Sequence, residues 1–143
     1  MMPMNRILLV DDDTVTNMLH RRVIERSGQA LSVEVATDGQ QALDVLSADM
    51  ASHRPFPEVV LLDINMPGMG GFEFLENYAT IPKPSAPQMI IVMLSTSLLE
   101  ADQARVKADP NVYGFCEKPL RSETFMELAA IFHERNKGKM NSP

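Results

Sequence analysis

Ile7-Leu8-Leu9-Val10-Asp11-Asp12-Asp13 is a short apolar run that stops abruptly on three acids. Such a run is too short for a buried helix and suits a strand covered on both faces, as in a parallel sheet. The pattern recurs downstream: Val59-Val60-Leu61-Leu62 stops on Asp63, and Met89-Ile90-Ile91-Val92-Met93-Leu94 stops on Ser95. Leu31-Ser32-Val33-Glu34-Val35 alternates apolar and polar instead, and residues 111–117 are mixed and bounded by Pro110 and Pro119. Both read as strands with a wetter face, at the edges of the sheet.

Helical spacing fills the intervals. Val15, Met18, Leu19 and Val23 form one stripe, closed by Gly28; Ala42, Val45 and Leu46 form a second, and Phe72, Leu75 and Tyr78 a third. Ser97-Leu98-Leu99-Glu100 reads as a capping box opening a fourth, mostly polar helix over 98–108. Phe125, Leu128, Ala129 and Phe132 recur at i, i+3, i+4 and i+7, marking a fifth helix capped near Ser122. Strand followed by helix, five times over, predicts an α/β fold with a doubly wound parallel sheet. Pro82, Pro84 and Pro87 mark a stiff loop before the fourth strand, and 136–143 reads as a polar C-terminal tail after a single domain over 5–135.

The 143 residues fall inside the roughly 100–200 expected of one domain. A formal net charge of −6 argues against broad electrostatic binding to nucleic acid or an anionic membrane. The lone Cys116 excludes an internal disulfide and a multi-cysteine zinc site. No apolar run approaches the ~20 residues of a membrane span, and the first residues run straight into Ile7 to Val10 and then acids, unlike a signal peptide. The expectation is a cytoplasmic one-domain protein with no room for a second, separately folded effector.

In open α/β sheets ligands bind beyond the carboxyl ends of the strands. The first strand ends in Asp11-Asp12-Asp13, the third in Asp63, the fourth in Ser95 and the fifth in Lys118-Pro119. Two carboxylates ~4 Å apart repel by about 4 kcal/mol at an effective dielectric near 20, so Asp11, Asp12 and Asp63 together call for a cation. An all-oxygen donor set suits Mg²⁺ better than zinc, and Mg²⁺ commonly bridges phosphates. A carboxylate can accept a phosphoryl group as an aspartyl phosphate, whose new oxygens Lys118 and the Ser95 hydroxyl would meet.

Taken together, Ile7 to Asp13, Leu61-Leu62-Asp63-Ile64-Asn65-Met66-Pro67-Gly68-Met69-Gly70-Gly71, Met93-Leu94-Ser95 and Glu117-Lys118-Pro119 resemble the receiver domain of two-component response regulators, over nearly the whole chain. The resemblance implies a flavodoxin-like sheet of strand order 2-1-3-4-5 with five helices. It implies Asp63 as phosphoacceptor, with Mg²⁺ held directly by Asp12, by Asp63 and by the Asn65 carbonyl, and by Asp11 through water or hydrogen bonds. Ser95 occupies the switch Ser/Thr position, Lys118 the lysine position and Phe115 that of a rotating aromatic, while Asn65 and Ser97 match positions that tune dephosphorylation. The Lys118-Pro119 peptide bond resembles one the family holds cis. The implied donor is a histidine kinase or histidine phosphotransfer protein, which in the family often meets the first helix, here bearing Arg21-Arg22. The implied output is a protein target on the fourth helix, fifth strand and fifth helix; some members dimerise there, and no decisive apolar patch selects a homodimer in this sequence. Ser95 in place of the commoner Thr, Gly70-Gly71 where Asp-Gly is usual, and the extended loop over 81–88 depart from the family pattern.

Two other readings compete. Val10 to Val15 also fits the haloacid dehalogenase signature, with Asp11 as nucleophile and Asp13 as acid/base of a phosphohydrolase. That family needs a further acidic pair after its lysine, whereas Glu123, Glu127 and Glu134 follow Lys118 only in a helical pattern, and Asp63 would go unexplained. The second alternative is a receiver-fold interaction module that never turns over phosphate. Among single residues, Asp13 reads as the N-cap of the first helix, Cys116 as a small core hydrophobe, and His20, His53 and His133 as solvated surface residues.

Overall fold

The computed structural model describes residues 4–82, 89–96 and 99–140, the side chains of 136–140 excepted. Ser97, Leu98, residues 83–88 of the proline-bearing loop and residues 141–143 lie outside that description. The elements in chain order are β1 (Met4–Val10), α1 (Thr14–Ser27), β2 (Ala30–Ala36), α2 (Gly39–Ala51), β3 (Val59–Asp63), α3 (Gly71–Tyr78), β4 (Ile90–Ser95), α4 (Glu100–Ala108), β5 (Val112–Glu117) and α5 (Ser122–Met140). The strands form one parallel sheet in the order β2-β1-β3-β4-β5, with the two mixed-pattern strands at its edges, as their wetter faces predict.

Alternate residues of the central strands feed two cores. Leu8, Val10, Val60, Leu62, Ile91 and Met93 pack with Leu46 of α2, Phe74 of α3 and Val106 of α4. Ile7, Leu9, Val59, Leu61, Ile90 and Val92 pack on the other face with Ile24 of α1 and with Phe125 and Leu128 of α5. Every residue of β3 and β4 is buried, which is why those runs are continuous rather than alternating. Each large aliphatic side chain so buried is worth roughly 1.5–3 kcal/mol.

Three local readings change. Val15, Met18 and Leu19 do not face the core: they are 61%, 60% and 51% exposed, and the buried face of α1 is Asn17, His20 and Ile24. His20 is therefore a core residue, not a surface one. It is accommodated because its Nε2 accepts the Leu120 N–H at 3.1 Å, while Asn17 Nδ2 donates to the Asp11 carbonyl at 2.9 Å. Each of these bonds to main chain offsets part of the cost of taking the side chain out of water, although Asn17 Oδ1 is buried without a partner among the described residues. Second, α4 begins at Glu100 and not at 98, because Leu99 holds an extended backbone (φ −68°, ψ 136°). Third, α5 runs on to Met140, through the first residues of the segment whose polarity reads as a tail. Loss of an apolar stripe ends packing, not helical hydrogen bonding.

At the N-terminal end of the sheet the Arg6 guanidinium bonds Glu34 at 2.7 Å, the buried Asp49 at 2.9 Å and the Pro55 carbonyl at 2.8 Å. The Glu58 carboxylate accepts the Asn5 and Arg6 N–H groups beside it. At the opposite end, the β3–α3 connection folds back on the strand so closely that a Cβ on Gly71 would lie 2.5 Å from the Asp63 carbonyl oxygen. That oxygen is backbone and cannot swing aside. Gly71→Ala is expected to cost about 1–3 kcal/mol through overpacking, read as a lower urea midpoint with unchanged slope; an unaltered midpoint would show that the connection yields.

Candidate functional site

Asp11 follows β1, Asp63 closes β3, Ser95 closes β4 and Lys118 follows β5, so the parallel sheet delivers all of them to one edge. Lys118 reaches across: its Nζ stands 2.5 Å from Asp11 Oδ2 and 3.0 Å from Asp63 Oδ1. Asp11, Asp12 and Asp63 each present a carboxylate oxygen within 4.8 Å of the others, with Asp11 and Asp63 buried and Asp12 exposed. Asp11 is further fixed by the Asp13 N–H, which donates to its Oδ1 at 2.9 Å. The Lys118 N–H donates to the Ser95 carbonyl at 2.8 Å, joining the ends of β4 and β5, and the Lys118–Pro119 bond is cis.

Electrostatics sharpen the picture. Burial pushes the Asp63 carboxyl above its ordinary range, Lys118 pulls it back, and the Asp11 and Asp12 charges push it up again, leaving it raised. Burial alone would lower the Lys118 ammonium, but its contacts with Asp11 and Asp63 outweigh that and hold it above its ordinary value. One ammonium against three carboxylates leaves two negative charges uncompensated. The donors are all oxygen, one carboxylate opens to solvent, and a small hard divalent cation fits them.

The other expected residues fall around this centre. Asn65 lies exposed in the loop after Asp63. Phe115 is half-buried on β5 beside Met93 and lines a groove of about 520 Å³ between α4 and β5, with Val106 and Lys107 opposite. Asp13 caps α1 through the Thr16 N–H and hydroxyl, as its position suggests. Ser97 lies outside the described residues. Asn17 and His20, which brace this edge from α1, were hidden by their polarity; with Ile24 they recur at 17, 20 and 24, a helical-face period that a search admitting polar residues would find.

The family model that describes the response regulator receiver domain matches residues 7–130. The chain belongs to this family. It is 31% identical over 137 residues to the probable methanogenesis regulatory protein FilR2 of Methanothrix harundinacea, covering 96% of this chain and 86% of that protein. The crystal structure of a two-component response regulator from Cytophaga hutchinsonii superposes with a TM-score of 0.85 at 29% identity, over 92% of this chain and 98% of that one. The transcriptional regulatory protein CpxR of Escherichia coli is 40% identical over 73 residues, 51% of this chain but only 28% of that relative's length. The receiver therefore recurs within longer proteins. Receiver domains bind Mg²⁺ through acidic residues, and Asp11, Asp12 and Asp63 form such a cluster here. The haloacid dehalogenase alternative is not favoured: Asp13 is committed to the helix cap and Asp63 belongs to the charged centre.

Because the folded-state pKa of Asp63 is raised, its contribution to stability is full below the ordinary value of 3.8 and is lost as pH rises through the raised one. In metal-free buffer Asp63→Asn is thus expected to raise the urea midpoint at pH 7, with the gain closing as pH falls toward 3.8. A midpoint at or below wild type at pH 7 would refute that electrostatic tension.

Proposed function

We propose that Asp63 is the phosphoacceptor of a two-component phosphorelay, charged by a histidine kinase or a histidine phosphotransfer protein. The observation that carries this reading is the placement of Asp63 Oδ1 3.0 Å from a lysine ammonium that is also bonded to Asp11. In the reaction an Asp63 carboxylate oxygen attacks phosphorus, the phosphorus–nitrogen bond of the donor phosphohistidine breaks, and its electron pair returns to the imidazole. Lys118 leaves its carboxylate contacts to pair with phosphoryl oxygen, and the buried Ser95 hydroxyl donates to another. Asp12, Asp63, the Asn65 carbonyl and, less directly, Asp11 would hold Mg²⁺, which supplies charge neutralisation and alignment when bound.

The output reading is a switch on the α4–β5–α5 face. Val106 is the one fully buried residue of α4, so little burial opposes its movement, and the groove beside it gives Phe115 somewhere to turn. Asn65 and Ser97 would set how readily water reaches the phosphoryl group. Donor docking falls on α1, where the exposed Val15, Met18 and Leu19 begin one turn past Asp12.

Incubation with acetyl phosphate and Mg²⁺ should give a single phosphoryl adduct by intact mass, absent in Asp63→Asn. No wild-type adduct would favour a receiver-fold module that binds partners without turning over phosphate. Labelling that survives Asp63→Asn but fails in Asp11→Asn would restore the phosphohydrolase alternative. Met18→Glu should slow transfer from a cognate phosphohistidine donor about tenfold, the equivalent of ~1.4 kcal/mol, with acetyl phosphate labelling intact. Equal slowing of both would place Met18 in folding rather than docking.

A further inference from the structure

The inward face of α1 carries two buried polar residues, Asn17 and His20, and each meets main chain on a different side of the charged centre. Asn17 Nδ2 donates to the carbonyl of Asp11 at 2.9 Å. The N–H of Leu120, itself buried, donates to His20 Nε2 at 3.1 Å. Leu120 lies two residues past Lys118, whose ammonium meets the Asp11 carboxylate at 2.5 Å. Two side chains one helical turn apart on α1 thus secure the segment that bears the acid and the segment that bears the lysine.

We infer that His20 is a positioning residue: by accepting the Leu120 N–H it pins the β5–α5 connection to α1 and thereby sets where the Lys118 ammonium stands between Asp11 and Asp63. Its consequence for rate rests on the reading of Asp63 as phosphoacceptor; the mechanical link rests on the hydrogen bond alone. A main-chain N–H can only donate, so Nε2 must carry a lone pair and the ring proton sits on Nδ1. The ring is 2% exposed, and burial together with the Lys118 charge lowers its pKa from 6.5, against a smaller opposing effect of Asp11. Those two, from the β5–α5 connection and from the end of β1, are the charged groups acting on it among the described residues. An apolar side chain of the same size would fill the space but leave the Leu120 N–H buried without an acceptor. With only Pro119 between Leu120 and Lys118, slack in the connection passes directly to the ammonium.

The first test needs neither metal nor phosphoryl transfer. In metal-free protein at pH 7, long-range proton–nitrogen correlation should show His20 neutral with its proton on Nδ1, and the Leu120 amide should exchange slowly. His20→Leu should speed that exchange, shift the Lys118 amide and Nζ signals, and slow acetyl phosphate labelling of Asp63 in Mg²⁺ about tenfold through misplacement of a reacting group. His20→Gln, whose Oε1 accepts at similar reach, should restore most of the rate and the Lys118 signals. On acidification below 6.5 the wild-type Leu120 amide signal should follow the His20 titration, and in His20→Gln it should not. If His20→Leu fails to fold, the wild-type titration and His20→Gln still decide. A ring protonated on Nε2, or Leu120 and Lys118 signals indifferent to His20, overturns the inference. A wild-type protein that takes no label overturns the phosphoacceptor reading instead, leaving the spectroscopic arms to judge His20.

Discussion

One ammonium holds the working edge of this molecule together. Lys118 bonds Asp11 from the end of β1 and Asp63 from the end of β3, while its own N–H bonds the carbonyl of Ser95 on β4. Four strand ends are thereby referred to one residue. Two close carboxylates repel by about 4 kcal/mol at an effective dielectric near 20, which is not small beside the 5–15 kcal/mol of net stability typical of a domain. A single cation lowers that repulsion without cancelling it. The edge is consequently rigid in geometry and incomplete in charge, a combination suited to accepting a divalent ion and a phosphoryl group.

Rigidity is unevenly distributed around that edge. β3 and β4 are buried throughout, and α1, α2, α3 and α5 each contribute two or more residues to the buried interior. α4 contributes Val106 alone, and its tie to α3 runs through Arg105, bonded to Glu76 at 2.9 Å and stacked over Phe72. Both partners of that ion pair are largely exposed, so it adds little. A charge event at Asp63 therefore meets least resistance in the direction of α4 and the adjoining groove.

The strands and the charged centre were legible because their chemistry is monotonous: apolar runs buried on both faces, each ending on a residue that water or a ligand must satisfy. Asp11, Asp12, Asp63 and Lys118 meet because parallel strands deliver their ends to one edge, and alternation in β2 and mixture in β5 marked the sheet's borders. α1 misled for the converse reason. Its apolar residues Val15, Met18 and Leu19 face outward, and its buried Asn17 and His20 are polar side chains that each bond main chain, through Asn17 Nδ2 and His20 Nε2, a pairing no hydrophobic period reveals. Helix ends were the other weak point. The extended backbone of Leu99 delays α4, and α5 outlasts its apolar stripe because exposed polar residues extend a helix without packing it.

The Arg6 cluster gives the two ends of the sheet different electrical characters. At the N-terminal end Glu34 and Asp49 have a resident guanidinium, and Glu58 has two backbone N–H groups. Each of the three carboxylates there already has a donor within the chain. At the opposite end Lys118 is set against Asp11, Asp12 and Asp63, leaving an excess of negative charge. The two ends thus hold their acids differently: by a guanidinium and main-chain N–H groups at one, and by a single ammonium shared between two strand ends at the other.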